Sequence, residues 1–118
     1  AALADLDGDG RLDLVVVNRR APMEIYRNVS TDTGGWLQLD LRMDGPNSRA
    51  IGAVVRVLAN GATQIQEVTV GGGHAGGQAG PLHFGLGTAD EAAVTVDWPD
   101  GTQSQYHLNA NSRQVLRP

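Results

Sequence analysis

The chain has 118 residues, which is enough for one compact domain or for one small domain with a further fragment. It contains no cysteine, which excludes disulfide bonds and thiolate metal sites. No segment approaches the roughly 20 apolar residues that span a bilayer. The net charge is -4, and the nine basic residues, all arginines, form no continuous stripe, so we exclude nucleic acid as a partner.

The acidic residues are concentrated near the start of the chain. Asp5, Asp7, Asp9 and Asp13 lie within nine positions, and without them the acidic and basic residues number nine each. The negative charge is therefore a local feature that requires a local explanation. Because the chain begins with Ala-Ala-Leu-Ala and not with methionine, we expect a fragment of a longer protein, with any targeting segment upstream.

The first part of the chain predicts an acidic loop followed by a β-hairpin. Residues 14–17 (Leu-Val-Val-Val) are too few and too β-branched for a helix, and they predict a buried strand. Pro22 ends that strand, and the alternation over 23–29 predicts the returning strand. The polar, glycine-ended stretch 30–35 predicts a boundary. The boundary divides the chain into two regions, 1–34 and 35–118.

The second region consists of short apolar runs separated by turn signals. Asn60-Gly61 is typical of two-residue hairpins, and Pro99-Asp100-Gly101 predicts another turn. The glycine-rich stretch 71–80 predicts a loop. Strands are predicted over 36–43, 53–58, 63–70, 82–86, 93–98, 105–108 and 113–116. Since no window has a sustained helical period, we predict an all-β chain whose second region is a small antiparallel β-sandwich or barrel-like domain.

The nine residues Asp5-Leu-Asp-Gly-Asp-Gly-Arg-Leu-Asp13 have the composition of a calcium loop. Calcium takes about six to eight oxygen ligands and tolerates irregular geometry, which suits several carboxylates on one tight curve; magnesium requires stricter octahedral geometry. Gly8 and Gly10 allow the backbone to curl around an ion. The predicted ligands are Asp5, Asp7, Asp9, the backbone carbonyl of Arg11, and Asp13.

Two other interpretations of this loop fit the sequence less well. A solvated acidic turn does not require glycines interleaved with aspartates. An EF-hand requires a bidentate Glu at its twelfth position, which is Val16 here, and helical flanks, whereas residues 14–17 favour a strand. A Ca²⁺ site outside the EF-hand class is therefore the prediction.

The segment from Asp5 to Asn18, followed by Ile25-Tyr26-Arg27-Asn28, resembles the calcium-binding repeat of FG-GAP or VCBS type. Such repeats build β-propellers. The resemblance implies that residues 1–34 are part of a propeller blade and that upstream blades of the same chain are its partners.

Further motifs resemble the ASPIC/UnbV domain, which follows FG-GAP-like repeats in the cartilage acidic protein-like family. They are Asn47-Ser-Arg-Ala-Ile-Gly52, Val70-Gly-Gly-Gly73, His83-Phe-Gly-Leu-Gly87 and Val96-Asp-Trp-Pro-Asp-Gly101. The stretch His74-Ala-Gly-Gly-Gln78 departs from the family pattern and keeps only its Gln. The resemblance implies an extracellular, cell-surface or periplasmic protein that acts in calcium-dependent interactions and has no established catalysis.

Outside the loop, two aromatic side chains invite a functional interpretation. His83 lies beside Phe84 in a glycine-bounded strand, and we expect it to be a structural hydrogen-bonding residue. The histidines His74, His83 and His107 lack the close spacing of paired zinc ligands. Trp98 has two open interpretations, since it can stack on a sugar or pack in a core that is short of aromatic residues.

The enzymatic hypothesis is a glycosidase with paired carboxylates. Its candidates are Glu67, Glu91, Asp97 and Asp100, of which Asp100 belongs to a turn and Glu91 to a polar loop. The glycine-rich segment 71–77 opens no helix and so lacks the usual phosphate-binding geometry. We predict a non-catalytic, calcium-binding interaction or adhesion module with a protein or glycan partner. The alternative is a carbohydrate-binding or accessory domain of a secreted carbohydrate-active enzyme.

Overall fold

The computed structural model describes residues 1–74 and 76–118, and within them it confirms the all-β prediction. There is no helix in this part of the chain, and hence none able to cross a membrane. The strands are β1 (Ala2–Ala4), β2 (Asp13–Val16), β3 (Glu24–Tyr26), β4 (Gly35–Leu41), β5 (Val54–Ala59), β6 (Ala62–Glu67), β7 (Leu82–Gly87), β8 (Glu91–Asp97), β9 (Gln103–Asn109) and β10 (Ser112–Leu116).

The strands belong to two compact units. The first unit comprises Ala1–Thr33 together with Val70–Gly80, and the second comprises Gly34–Thr69 together with Pro81–Pro118. The first unit contains one three-stranded antiparallel sheet in the order β1-β2-β3. The predicted hairpin of β2 and β3 is confirmed, but the predicted burial of residues 14–17 is wrong, since residues 14–16 are only half-buried and Val17 is 73% exposed. Strand β1 was not predicted, because three residues are too few to show a period.

The second unit is a β-sandwich of two sheets. One sheet has the order β10-β4-β7 and the other has the order β6-β5-β8-β9. Strands β5 and β6 are joined at Asn60 and Gly61, whose φ angles of 50° and 70° are those of the two-residue turn that Asn-Gly favours. The Asn-Gly prediction is therefore confirmed at the level of the backbone.

The core of the sandwich lies between these sheets. Alternate residues of each strand point inward, as the strand period of two dictates. The buried apolar side chains are Leu37, Leu39, Leu41, Ala50, Ala53, Val55, Val57, Phe84, Leu86, Ala92, Val94, Val96, Trp98 and Leu116. Trp98 is 3% exposed and donates its indole N–H to Ser104 Oγ at 2.8 Å. Of the two interpretations of Trp98, the structure supports packing in the core.

One pairing in the sandwich departs from the antiparallel prediction. Strand β10 runs parallel to β4, from Ser112 opposite Leu37 to Leu116 opposite Leu41. The chain leaves β9 at the edge of one sheet and crosses to the other, where the N–H of Asn111 donates to the carbonyl of Trp36 at 2.7 Å. Because the chain crosses between the sheets, β10 runs parallel to β4, whereas the prediction was antiparallel. The alternation of side chains along a strand does not indicate the direction of its neighbour.

The predicted glycine-rich loop is also confirmed over its described residues, 71–74 and 76–80. Gly71 and Gly77 form an isolated antiparallel bridge, and the N–H of Gly72 donates to the carbonyl of Gly76 at 3.4 Å. Ala75, inside the stretch that departs from the family pattern, lies outside the described residues.

Candidate metal centre

The acidic loop is the connection between β1 and β2. Ala4 pairs with Asp13 across these two strands, so the antiparallel register brings the two ends of the loop side by side. Asp5 directly follows β1, and Asp13 is the first residue of β2. Aspartates that are eight positions apart in sequence are thereby placed on the same side of one tight turn.

Three of the predicted ligands come together. One carboxylate oxygen each of Asp5, Asp7 and Asp13 lies within 4.8 Å of the others. Two ligands of one calcium ion, each at about 2.3–2.6 Å, lie at most about 5 Å apart. The cluster therefore has dimensions that one calcium ion can bridge, and its carboxylate oxygens are the donors that a hard cation prefers.

The carboxylate of Asp5 organises the backbone of the loop. Its Oδ1 accepts the N–H groups of Gly8 at 2.8 Å and Asp9 at 3.0 Å, and its Oδ2 accepts the N–H of Gly10 at 2.8 Å. Such convergence requires backbone that turns through positive φ, which Gly8 at 78° and Gly10 at 85° supply. The glycines that the sequence singled out thus fold the loop around Asp5.

Asp13 is the most enclosed carboxylate of the cluster, with only 2% of the residue exposed. Its Oδ1 accepts the N–H of Asn28 at 2.7 Å, and its Oδ2 accepts the N–H of Leu6 at 3.0 Å. These bonds to the N–H of Asn28 and then of Leu6 lower the pKa of Asp13 below its ordinary value, against the opposing effect of burial. Asp13 is therefore held ionised, in the form that binds a cation.

Asp9 lies outside the three-carboxylate cluster. Its Oδ1 accepts the backbone N–H of Arg11 at 2.9 Å, and its Oδ2 pairs with the guanidinium of the same residue. Arg27 approaches that oxygen at 3.7 Å. The assignments of Asp9 and of the Arg11 carbonyl as ligands stay predictions, while Asp9 has a visible second role as the partner of two arginines.

Sequence reasoning gave no role to Arg27 and Asn28, although both stand in the motif that carried the first resemblance. Arg27 Nε donates to Asp7 Oδ2 at 2.7 Å. Asn28 makes three hydrogen bonds to the loop. Its N–H donates to Asp13, and its Nδ2 donates to the Leu12 carbonyl at 3.1 Å. Its carbonyl accepts a hydrogen bond from Arg11 Nε at 3.1 Å. The sequence signal that could have identified these two residues is their position directly after β3, the strand that returns beside the loop.

His83 lies in the second unit and is not a member of any cluster of metal ligands found among the described residues. Its ring stacks on that of Trp36 with centroids 6.4 Å apart and planes 9° apart. Its Nδ1 is 3.4 Å from Gln38 Nε2. These contacts agree with the structural role expected for His83.

The four candidate catalytic carboxylates also lie in the second unit, and two of them are held ionised. A hydrogen bond from Gln103, followed by one from Arg56, lowers the pKa of Asp97. Hydrogen bonds from the hydroxyl and then from the N–H of Thr102 lower the pKa of Asp100. Glu91 Oε2 lies 2.8 Å from His107 Nε2 on the exposed ends of both side chains. Neither aspartate has the raised pKa of a general acid.

Similarity to known proteins covers most of the chain. Cartilage acidic protein 1 of Mus musculus is 30% identical over 103 residues, which are 84% of this chain and 16% of the relative. The Homo sapiens protein of the same name is also 30% identical over 103 residues and is covered to 15%. The Xenopus tropicalis protein is 29% identical over 104 residues. The chain thus spans about one sixth of the length of these relatives.

The alignments, covering 84% of the chain, extend upstream of residue 43. Residues 43–118, which include β5 to β10 and most of the sandwich core, match the family described as ASPIC and UnbV. That match confirms the resemblance found in the second region of the sequence. The chain belongs to the ASPIC and UnbV family.

Proposed function

We propose that this chain is a non-catalytic, calcium-binding interaction module that acts outside the cytoplasm. The observation that carries the proposal is the meeting of Asp5, Asp7 and Asp13 in one cluster. In this proposal the first unit is part of a propeller blade of FG-GAP or VCBS type, and the ASPIC/UnbV sandwich follows it. The partner is a protein or a glycan.

The loop geometry supports calcium as a rigidifying ion. Asp5 and Asp13 accept hydrogen bonds from the N–H groups of five different residues, which order the loop. An ion at the cluster would therefore bind carboxylates whose positions are already set by the backbone. For an extracellular-type dissociation constant of about 10⁻⁴ M and free calcium of about 10⁻³ M, binding stabilises the folded state by roughly 1.4 kcal/mol. An effect of this size raises the melting temperature by roughly 6–11 °C for a domain of about 60–100 residues.

The carboxylates of the sandwich support the absence of catalysis. Asp97 is engaged by Arg56 and Gln103, and Asp100 is engaged by Thr102 within its own turn. Both pKa values are lowered, whereas a general acid for glycoside cleavage needs a raised one. A location outside the cytoplasm is supported by the calcium loop, because calcium near 10⁻³ M is an extracellular condition.

Thermal unfolding in EDTA, in calcium and in magnesium tests the proposal. We expect calcium alone to raise the melting temperature, and we expect the double variant Asp7→Asn with Asp9→Asn to lose that rise. The single variant Asp9→Asn separates the two roles of Asp9: a normal calcium response means that its main contribution is the pairing with Arg11 and Arg27. An unchanged calcium response in the double variant would show that the ion binds elsewhere and would overturn the assignment.

A further inference from the structure

The turn between β5 and β6 contains the only asparagine of the chain that is followed by glycine, Asn60-Gly61. A backbone nitrogen that follows asparagine can attack the side-chain amide of that asparagine, and glycine favours this attack because no Cβ stands in the way. A Cβ added to Gly61 would meet no atom within 4 Å apart from its chain neighbours, and Asn60 is exposed. The turn is therefore open to this reaction and to water.

The backbone nitrogen of Gly61 is not engaged in the folded chain. Within the part of the chain that the structure describes, its N–H donates no hydrogen bond. In three of the four Asp-Gly pairs the glycine N–H is held: those of Gly8 and Gly10 donate to Asp5, and that of Gly101 donates within its own turn at 3.0 Å. An ionised carboxylate is in addition a poorer electrophile than a neutral amide, so the Asp-Gly pairs are the less reactive ones.

The side-chain amide of Asn60 links the two sheets of the sandwich. Its Nδ2 donates to the carbonyl of Leu86 and to Oγ1 of Thr88, both at 3.2 Å. Leu86 belongs to β7 in the three-stranded sheet, whereas Asn60 directly follows β5 in the four-stranded sheet. Both distances lie at the long end of the range for N–H···O hydrogen bonds, so the amide is held in place but not tightly.

We propose that Asn60 is a deamidation site and that its conversion removes this link between the sheets. The Gly61 nitrogen loses its proton and forms a bond to Asn60 Cγ, the Cγ–Nδ2 bond breaks, and Nδ2 leaves as ammonia with that proton. Water then opens the resulting succinimide ring at one of its two carbonyls. One opening leaves aspartate at this position, and the other leaves isoaspartate, in which the main chain passes through Cβ. Water is the only reactant required.

Both products of the reaction lack the Nδ2 donor. A carboxylate oxygen then faces the carbonyl of Leu86, and two acceptors without a hydrogen between them repel each other. Isoaspartate also adds a main-chain atom to a two-residue turn, whose length fixes the register of β5 and β6. Deamidation should therefore lower the stability of the sandwich. This inference goes beyond the proposed function and does not involve the acidic loop.

Incubation of the chain at neutral and at mildly alkaline pH, followed by peptide mapping with mass spectrometry, tests the site. We expect conversion at Asn60 to be at least about tenfold faster than at any other asparagine, because only Asn60 precedes glycine. The rate should rise with pH, since the attacking nitrogen must lose its proton. Thr88→Val removes one acceptor of Nδ2 and should speed the conversion a few-fold, whereas Thr63→Val, the same change at another exposed threonine, should not. Faster conversion at another asparagine, or equal rates in the two variants, overturns the proposal.

Thermal unfolding of Asn60→Asp tests the consequence separately from the rate. We expect its melting temperature to fall by about 4–8 °C, the shift that loss of one hydrogen bond produces in a domain of this size. The matched control is Asn111→Asp, at a second exposed asparagine whose φ of 58° is close to the 50° of Asn60. This control should shift the melting temperature by less than half as much. Equal shifts in the two variants, or no shift in Asn60→Asp, contradict the role of Asn60 as a link between the sheets.

Discussion

Each of the two units of this chain is stabilised internally by a different kind of interaction. In the second unit, fourteen apolar side chains are buried between two sheets. In the first unit, none of the large apolar side chains of the described residues is fully buried. Val17 is 73% exposed and Ile25 is 57% exposed, while the charged Asp13 is 2% exposed. Hydrophobic burial thus stabilises the sandwich, whereas carboxylate–backbone hydrogen bonds shape the acidic loop.

This difference implies separate responses to core truncation, to cations and to acid. Substitutions of buried apolar residues should lower the stability of the sandwich and leave cation binding by the loop unchanged. Changes at the aspartates of the loop should act on the first unit. The largest effect is expected in the core of the sandwich and the smallest at the rim of the acidic cluster.

Truncation of the sandwich core should cost the most. Phe84 is fully buried on β7, so Phe84→Ala should lower the free energy of unfolding of the second unit by about 3–5 kcal/mol through lost burial and the cavity left behind. Urea denaturation measures this value. Val115→Ala, at a side chain that is 58% exposed, is the matched control and should change it by less than about 0.5 kcal/mol. Equal effects of the two variants would contradict the account of the core.

Removal of one carboxylate of the acidic cluster should abolish the expected response to calcium and leave the stability of the sandwich unchanged. Asp13→Asn loses the charge of the most enclosed cluster member and presents an amide N–H₂ to a backbone donor, Leu6 or Asn28. We expect the calcium-dependent rise of about 1.4 kcal/mol to disappear. Calorimetric titration of calcium checks the loss, and Asp32→Asn, at an exposed position of the same unit, should keep normal binding.

Acid should weaken the sandwich through Asp97. Because the folded state lowers the pKa of Asp97 below 3.8, the unfolded chain takes up this proton first as the pH falls. The stabilisation is therefore complete above the ordinary pKa and is lost as the pH drops through the lowered value. Asp97→Asn should flatten this part of the acid limb. Melting temperatures recorded from pH 7 down to about pH 2 test the sign, and a steeper acid loss in the variant would contradict it.

The smallest effect should come from a positive charge beside the cluster. Arg27 pairs with Asp7 at 2.7 Å, so its guanidinium competes with a cation for that carboxylate. Its side chain is 64% exposed, so solvent screens the competition. Arg27→Gln should tighten calcium binding by a few-fold at low salt, and by less at high salt, as calorimetric titration at two salt concentrations measures. Weaker binding in the variant would mean that Arg27 mainly positions Asp7.

The sequence predicted those features that local chemistry determines. Alternating residues and the Asn60-Gly61 turn located most strands, and the Asp-Gly pattern located the loop, because both signals lie within a few neighbouring positions. The parallel placement of β10 depends on a crossing between sheets, which periodicity does not encode. The clasp by Asn28 and the pairing of Asp9 with arginines depend on side-chain competition within the folded loop.

The most direct test of the central claim is an amide NMR titration of the chain with calcium. The account predicts chemical-shift changes concentrated at the N–H groups that bond Asp5 and Asp13, namely those of Leu6, Gly8, Asp9, Gly10 and Asn28. Amides of the sandwich strands should stay unchanged, and magnesium at the same concentration should produce smaller shifts. Shifts centred in the sandwich, or no calcium response at the loop, would contradict the assignment of the acidic loop as the calcium site.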